Sequence, residues 1–151
     1  KNLRVEPHVG VDGVRLGAAR AEVHQVLGAP SDSFMKSRTS QHPTDCWFDA
    51  SFQVFYSGAA PSVEYIEISR EAGHRVELLG QSIFVVEAQE LIQILQAHAP
   101  FDASDPELGY SYVFPSLDLA LWRPTTDAPE DRVFRTVGIG ARGYFSGRHD
   151  A

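Results

Sequence analysis

The sequence predicts an α+β domain: a single antiparallel sheet made from two α-β-β-β units, with the helices packed on one face. Three observations carry this prediction. Two amphipathic segments, 18–27 and 86–98, are each followed by three short runs rich in β-branched and aromatic residues. Glycine, proline and aspartate punctuate the gaps between the runs. The two halves share this order of elements while sharing little residue identity, so the repeat is one of pattern. The chain of 151 residues is read as one domain with pseudo-repeat units at about 11–70 and 76–140 and a loosely ordered tail at 142–151.

Residues 5–16 form an extended lead-in broken by Pro7, Gly10 and Gly13. The first helix places Ala19, Val23, Val26 and Leu27 on one stripe. Gly28 stands where a helix C-cap belongs, and Pro30 blocks continuation. The first unit's strands are 45–49, 52–57 and 63–69. In the first of them, alternation sets Cys46 and Phe48 on one face and Asp45, Trp47 and Asp49 on the other. Gly58 to Pro61 turns the second strand into the third. The second helix has the stronger stripe, Phe84, Ala88, Leu91, Ile92 and Leu95, and Ser82 is read as its N-terminal cap. Its strands are 110–114, 117–122 and 133–139. Tyr110, Tyr112 and Phe114 are expected in the core, as are the leucines at 117, 119 and 121, with Asp118, Ala120 and Trp122 outward.

Charge narrows the partners. The formal net charge is -7, and between residues 40 and 109 eleven acidic residues face only Arg70 and Arg75, a local balance of -9. Such a surface repels phosphate, so nucleic-acid binding is not expected, while a basic protein would be attracted. No apolar run approaches the roughly 20 residues that span a bilayer, and no apolar stretch follows Lys1 to Arg4, so neither membrane insertion nor a signal peptide is expected. The single Cys46 excludes an internal disulfide framework and favours a reducing, cytoplasmic location.

Motifs for chemistry are sparse. Residues 138–143 match G-x-G-x-x-G, yet only eight residues follow, with no apolar stripe for a helix and no acidic residue at the required distance. A strand end and a turn explain those glycines. The six histidines contain no H-x-H or i,i+4 pair, and a lone cysteine builds no zinc cluster, so no metal and no cofactor is expected. No G-x-S-x-G elbow is present and no catalytic residue is assigned; the chain is read as a non-enzyme. The aromatics carry more information. By alternation Trp47, Tyr65 and Trp122 lie opposite the apolar partners of their own strands, each beside acid: Asp45 and Asp49, Glu64 and Glu67, and Asp118. Aromatic rings among charges are the composition of interface hot spots. The expected partner-binding set is therefore Asp45, Trp47, Asp49, Tyr65, Glu67, Asp118 and Trp122.

Leu16-Gly17, Val23 and Leu27-Gly28-Ala29-Pro30 form an "LG…V…LG-x-P" pattern that resembles the opening helix of small bacterial α+β modules. These include the modules of beta-lactamase inhibitor protein and of small outer-membrane assembly lipoproteins. The paired α-β-β-β layout resembles the inhibitor's tandem repeat most, although its disulfides have no counterpart here and no lipobox is visible. In size, acidity and α+β character the chain also resembles the immunity proteins of bacterial polymorphic and contact-delivered toxins. That second resemblance implies a cytoplasmic protein that binds a cognate, basic toxin and occludes its active site. The first implies an extracytoplasmic enzyme inhibitor. A small-ligand-binding or enzymatic α+β domain is the third expectation.

Overall fold

A computed structural model describes residues 2–146, and the fold is α+β. Twelve strands and two α-helices follow one another in the order β1 (Asn2–Glu6), β2 (Gly10–Val11), β3 (Val14–Arg15), α1 (Arg20–Leu27), β4 (Asp32–Phe34), β5 (Thr44–Trp47), β6 (Phe52–Ser57), β7 (Ser62–Ser69), β8 (Arg75–Leu78), β9 (Gln81–Ser82), α2 (Ala88–Gln96), β10 (Ser111–Phe114), β11 (Leu119–Trp122) and β12 (Thr136–Gly140).

The strands form two sheets, which corrects the expectation of one. The larger has seven strands in the order β10-β11-β12-β7-β6-β5-β4, antiparallel throughout. The meander after α1 and the meander after α2 meet along their last strands, where Ile66 faces Ile139 and Ile68 faces Val137. The smaller sheet has the order β3-β2-β1-β8-β9, with β1 and β8 parallel. Its strands come from the lead-in and from the segment between the units. In β1, Leu3 and Val5 are buried between exposed neighbours; in β8, Val76 and Leu78 are. Two inward residues per strand cannot cover an apolar surface alone, so this sheet adds its buried side to the core beneath the larger one.

That core is a single cluster. It joins Leu3, Val5, Val76 and Leu78 of the small sheet, Val23 of α1 and Leu91 and Leu95 of α2. From the large sheet it takes one face, including Phe52, Val54, Ile66, Ile68, Leu119, Leu121, Val137 and Ile139. The helices differ in how they attach. In α2, Ala88, Leu91, Ile92 and Leu95 are all buried at three- and four-residue spacing. In α1 only Val23 is buried and Val26 is half exposed, so the expected four-residue stripe fails. This helix covers eight residues, starts at Arg20 and ends where the Gly28 N–H donates to the His24 carbonyl at 2.8 Å.

Further differences have local causes. Strand β5 stops at Trp47 because Phe48, Asp49 and Ala50 all take positive φ, one left-handed turn that reverses the chain into β6. Residue 117 belongs to a 3₁₀ turn before β11, and Tyr110 is exposed ahead of β10 rather than buried. Gln81 and Ser82 pair with β8, so Ser82 is not the cap of α2, whose N-cap position is Glu87. The expected tail is ordered in part: Phe145 is buried within a turn that follows β12, while residues 147–151 lie outside the described residues.

Leu91 is fully buried at the centre of the α2 stripe. Leu91→Ala is expected to cost about 2–5 kcal/mol in chemical denaturation, and a loss below about 0.5 kcal/mol would show that α2 does not close the core.

Candidate functional site

Register decides which face each residue of the expected binding set occupies. In β5, Asp45 pairs with Val54 and Trp47 with Phe52, both core residues, so Asp45 and Trp47 point inward. The alternation reading had this strand inverted, because Phe48 was counted into it although it belongs to the left-handed turn. Trp47 is 4% exposed, and its indole N–H donates to the Gly28 carbonyl at 3.2 Å. Asp49 is exposed in the turn itself. Neither Asp45 nor Trp47 offers a surface to a partner.

Asp45, with no exposed area, is the hub of a polar cluster. Arg20 of α1 grips it through two bonds of 2.8 Å, the Ser33 hydroxyl donates to it at 2.6 Å and the Tyr56 hydroxyl at 2.8 Å, and His24 Nε2 lies 2.8 Å away. Burial opposes its ionisation, but Arg20 and the other donors win and hold the carboxyl well below the usual carboxylate range. Burial and the bond to Asp45 push the Tyr56 hydroxyl well above its ordinary value. Among the described residues Ser33 and His24 each bond to Asp45 and not to each other, so the cluster is no nucleophile relay. Its effect is structural: it ties α1, which buries a single apolar side chain, to β5 and β6.

Asp118 is likewise buried, at 3% exposure, contrary to its expected outward position. It sits at φ 47° in the turn before β11, outside the alternation. Its carboxylate accepts the N–H groups of Gly143 and Phe145 at 3.1 Å each and lies 3.0 Å from His8 Nε2. One carboxylate therefore fastens the lead-in and the C-terminal turn to the corner of β10 and β11.

Tyr65, Glu67 and Trp122 lie together on the outer face of the seven-stranded sheet, the face turned away from the core. Their neighbours across the strands explain the relief of that face. Glu67 pairs with Gly138, and Gly138 with Ala120. A Cβ on Gly138 would overlap the Tyr65 ring, and one on Gly140 would overlap Tyr144. Because both glycines lack one, Tyr65 lies flat across β12 and stacks on Tyr144 at 4.7 Å, with Phe145 edge-on at 5.9 Å. The glycine motif of residues 138–143 is thus accounted for without a nucleotide. Two glycines receive rings, and Gly143, at φ 86°, turns the chain so that its N–H reaches Asp118.

Beside the flattened rings lies a hollow of about 550 Å³ that includes Lys36, Tyr65, Glu67, Glu107, Trp122 and Gly138 in its lining. Trp122 is 38% exposed at its edge. Burial pushes the Glu67 carboxyl up, and Lys36 acts in the opposite sense. The Lys36 ammonium stands 4.9 Å from the centre of the Phe55 ring on the same face. Phe34 at the β4 edge and Tyr110 beside β10 are also exposed. Lys36, Phe55, Glu107 and Gly138 also stand on this face, beyond the expected set. The strict alternation of Phe52 to Ser57 held the signal for Phe55, whereas Lys36 and Glu107 come from loops with no periodicity.

Among the described residues no group of three or more His, Cys, Asp or Glu side chains could hold a metal ion, and no helix is long and apolar enough to cross a membrane. Comparison with known protein families, with curated proteins and with solved structures returns no match.

Asp45→Asn breaks the pair with Arg20. The expected loss is about 3 kcal/mol at neutral pH, toward the lower end for a buried pair because Arg20 keeps some exposure. The folded carboxyl titrates below its unfolded value, so the contribution is complete above the unfolded pKa, about 4, and fades as the pH falls below it. Urea titrations should therefore show the parent and the variant converging in acid; a constant difference down to pH 2 would reject this role. Gly138→Ala should destabilise by about 1–3 kcal/mol, because the Tyr65 ring must lift from the sheet. An unchanged midpoint would contradict the packing of Tyr65 on β12.

Proposed function

We propose that the chain is a non-enzymatic protein-binding module that neutralises a cognate bacterial toxin, using the outer face of the seven-stranded sheet to occlude the toxin's active site. The observation that carries this reading is the aromatic hollow on that face: Tyr65 and Trp122 beside Glu67 and Glu107, on a sheet whose opposite side is closed by the core. An exposed tryptophan beside a half-buried tyrosine in a concavity, rimmed by charge, is the composition of an interface centre. A face spanning seven strands also has the extent that a stable protein interface of about 800 Å² per partner requires.

Charge supports a basic partner. Of the eleven acids between residues 40 and 109, Asp45 is internal and neutralised by Arg20, but Glu67 and Glu107 stand in the hollow. A nuclease or deaminase toxin that handles nucleic acid carries a basic active site, which an acidic face would attract and cover. On this reading the chain works in the cytoplasm, where its single Cys46 stays reduced. The binding set is then Tyr65, Glu67 and Trp122 joined by Phe55 and Glu107, in place of the buried Asp45, Trp47 and Asp118 and of Asp49, which is exposed in its turn outside the lining of the hollow.

Co-expression of the chain with the toxin gene neighbouring its own is the direct test. Growth rescue and co-purification are expected. Trp122→Ala should weaken the complex by about 2 kcal/mol, roughly 30-fold in Kd, chiefly through faster dissociation. Absence of both rescue and co-purification would overturn the reading, and rescue with an unaltered Kd for Trp122→Ala would remove the outer face from it.

A further inference from the structure

We infer that the hollow beside Trp122 seats one protonated arginine or lysine side chain of the partner, with Glu67 as its counter-ion and the aromatic rings as its apolar wall. The inference rests on the protein-binding reading above and gives that face its specific anchor.

Glu67 is the first observation. Its carboxylate lines the hollow, is partly withdrawn from water, and has no hydrogen bond or close ion pair among the described residues, Lys36 acting on it only from a longer distance. This sets it apart from the fully buried carboxylates: Asp45, Asp118 and Asp131 all have partners. A carboxylate withdrawn from water with no cation in contact is unfavourable in the free protein, and a cation arriving from outside offsets that cost. Burial raises its pKa although Lys36 opposes the rise, so the loss of water is only partly offset in the free protein.

Lys36 is the second observation. Its ammonium already rests over the Phe55 ring at 4.9 Å, so the face holds one cation of its own by the same ring attraction the proposal invokes. Among the described residues that line the hollow Lys36 is the one cation, against Glu67 and Glu107, a negative balance. The third observation is shape. The Tyr65 ring, laid flat over Gly138, forms a low floor and leaves the hollow its depth beside Glu67. A hollow of about 550 Å³ accepts a guanidinium or ammonium head with its stem. A metal ion does not fit the donor set, since no three ligating side chains gather among the described residues. Arginine suits the site better than lysine, because its planar head stacks on an indole while pairing with a carboxylate.

The experiment uses the intact chain and N-acetyl-arginine methylamide as the probe, with the citrulline analogue as its uncharged counterpart. The chain has two tryptophans, so its NMR spectrum has two indole N–H signals, and Trp122→Phe assigns them. The arginine probe is expected to shift the Trp122 signal saturably in the millimolar range while the buried Trp47 signal stays in place. The citrulline analogue is expected to shift neither. Glu67→Gln should weaken the response about tenfold or more, and this variant should fold, since it replaces a disfavoured charge with a neutral amide of the same shape. Glu77→Gln, on the small sheet, should leave the response unchanged. The inference is overturned by no saturable shift at roughly 50 mM probe, by an equal response to citrulline, or by Glu67→Gln responding like the parent. A saturable, Glu67-dependent shift without toxin rescue would leave the cation site standing and remove the toxin reading. Rescue without any shift would do the reverse.

Discussion

The missing side chains at Gly138 and Gly140 are the constraint on which the outer face depends. Strand β12 joins the two meanders, so it lies near the middle of the seven-stranded sheet. Its inner side carries Val137 and Ile139 into the core, while its outer side carries Thr136 and then only hydrogens at 138 and 140. Tyr65 and Tyr144 settle into that space, and the C-terminal turn follows them onto the sheet, held from below by Asp118. A bare strand flanked by rings gives the face both a rigid aromatic ridge and the hollow beside it. With any larger residue at 138 the ring would stand away from the sheet and the hollow would change shape.

Buried carboxylates perform the fastening that apolar burial leaves undone. Helix α1 contributes one buried valine, too little to fix it in place, and Arg20 with Asp45 supplies the missing tether. Asp118 binds three separate stretches of chain, and Asp131 accepts from Thr125 and Arg70 in the loop before β12. Pairs of this kind specify position more than they add stability, since desolvation offsets much of the attraction. Here they decide where α1, the lead-in and the C-terminal turn come to rest, and so which surface remains uncovered.

Helix α2 and strands β6 and β11 were the most legible in the sequence, α2 with every member of its buried stripe from Ala88 to Leu95 at helical spacing and the two strands with clean alternation, whereas α1 buries only Val23 and β5 is buried on both faces. The small sheet was not legible, because β1 and β8 each commit only two inward residues and pair in parallel across about 70 residues of chain. The binding set divides on the same ground. Tyr65, Glu67 and Trp122 sit within strands, where alternation reports the face. Asp45 and Trp47 take the opposite phase to the expected one because Phe48 and Asp49, counted in the expected strand 45–49, belong to a left-handed turn. Asp118 was misplaced because it belongs to a turn. Nothing local marks Lys36 or Glu107, whose places depend on loops folding over the sheet.

The account makes the outer face of the large sheet the working surface, and that assignment is open to direct measurement. Hydroxyl-radical footprinting of the chain, free and in complex with its partner, reads the accessibility of individual side chains. Phe34, Tyr110 and Trp122 are exposed on or beside the outer face, while Val9, Leu79 and Val85 are exposed elsewhere on the molecule. The account predicts that the partner protects the first three and leaves the second three unchanged. Protection of Val9, Leu79 and Val85 with Trp122 still open to labelling would contradict it.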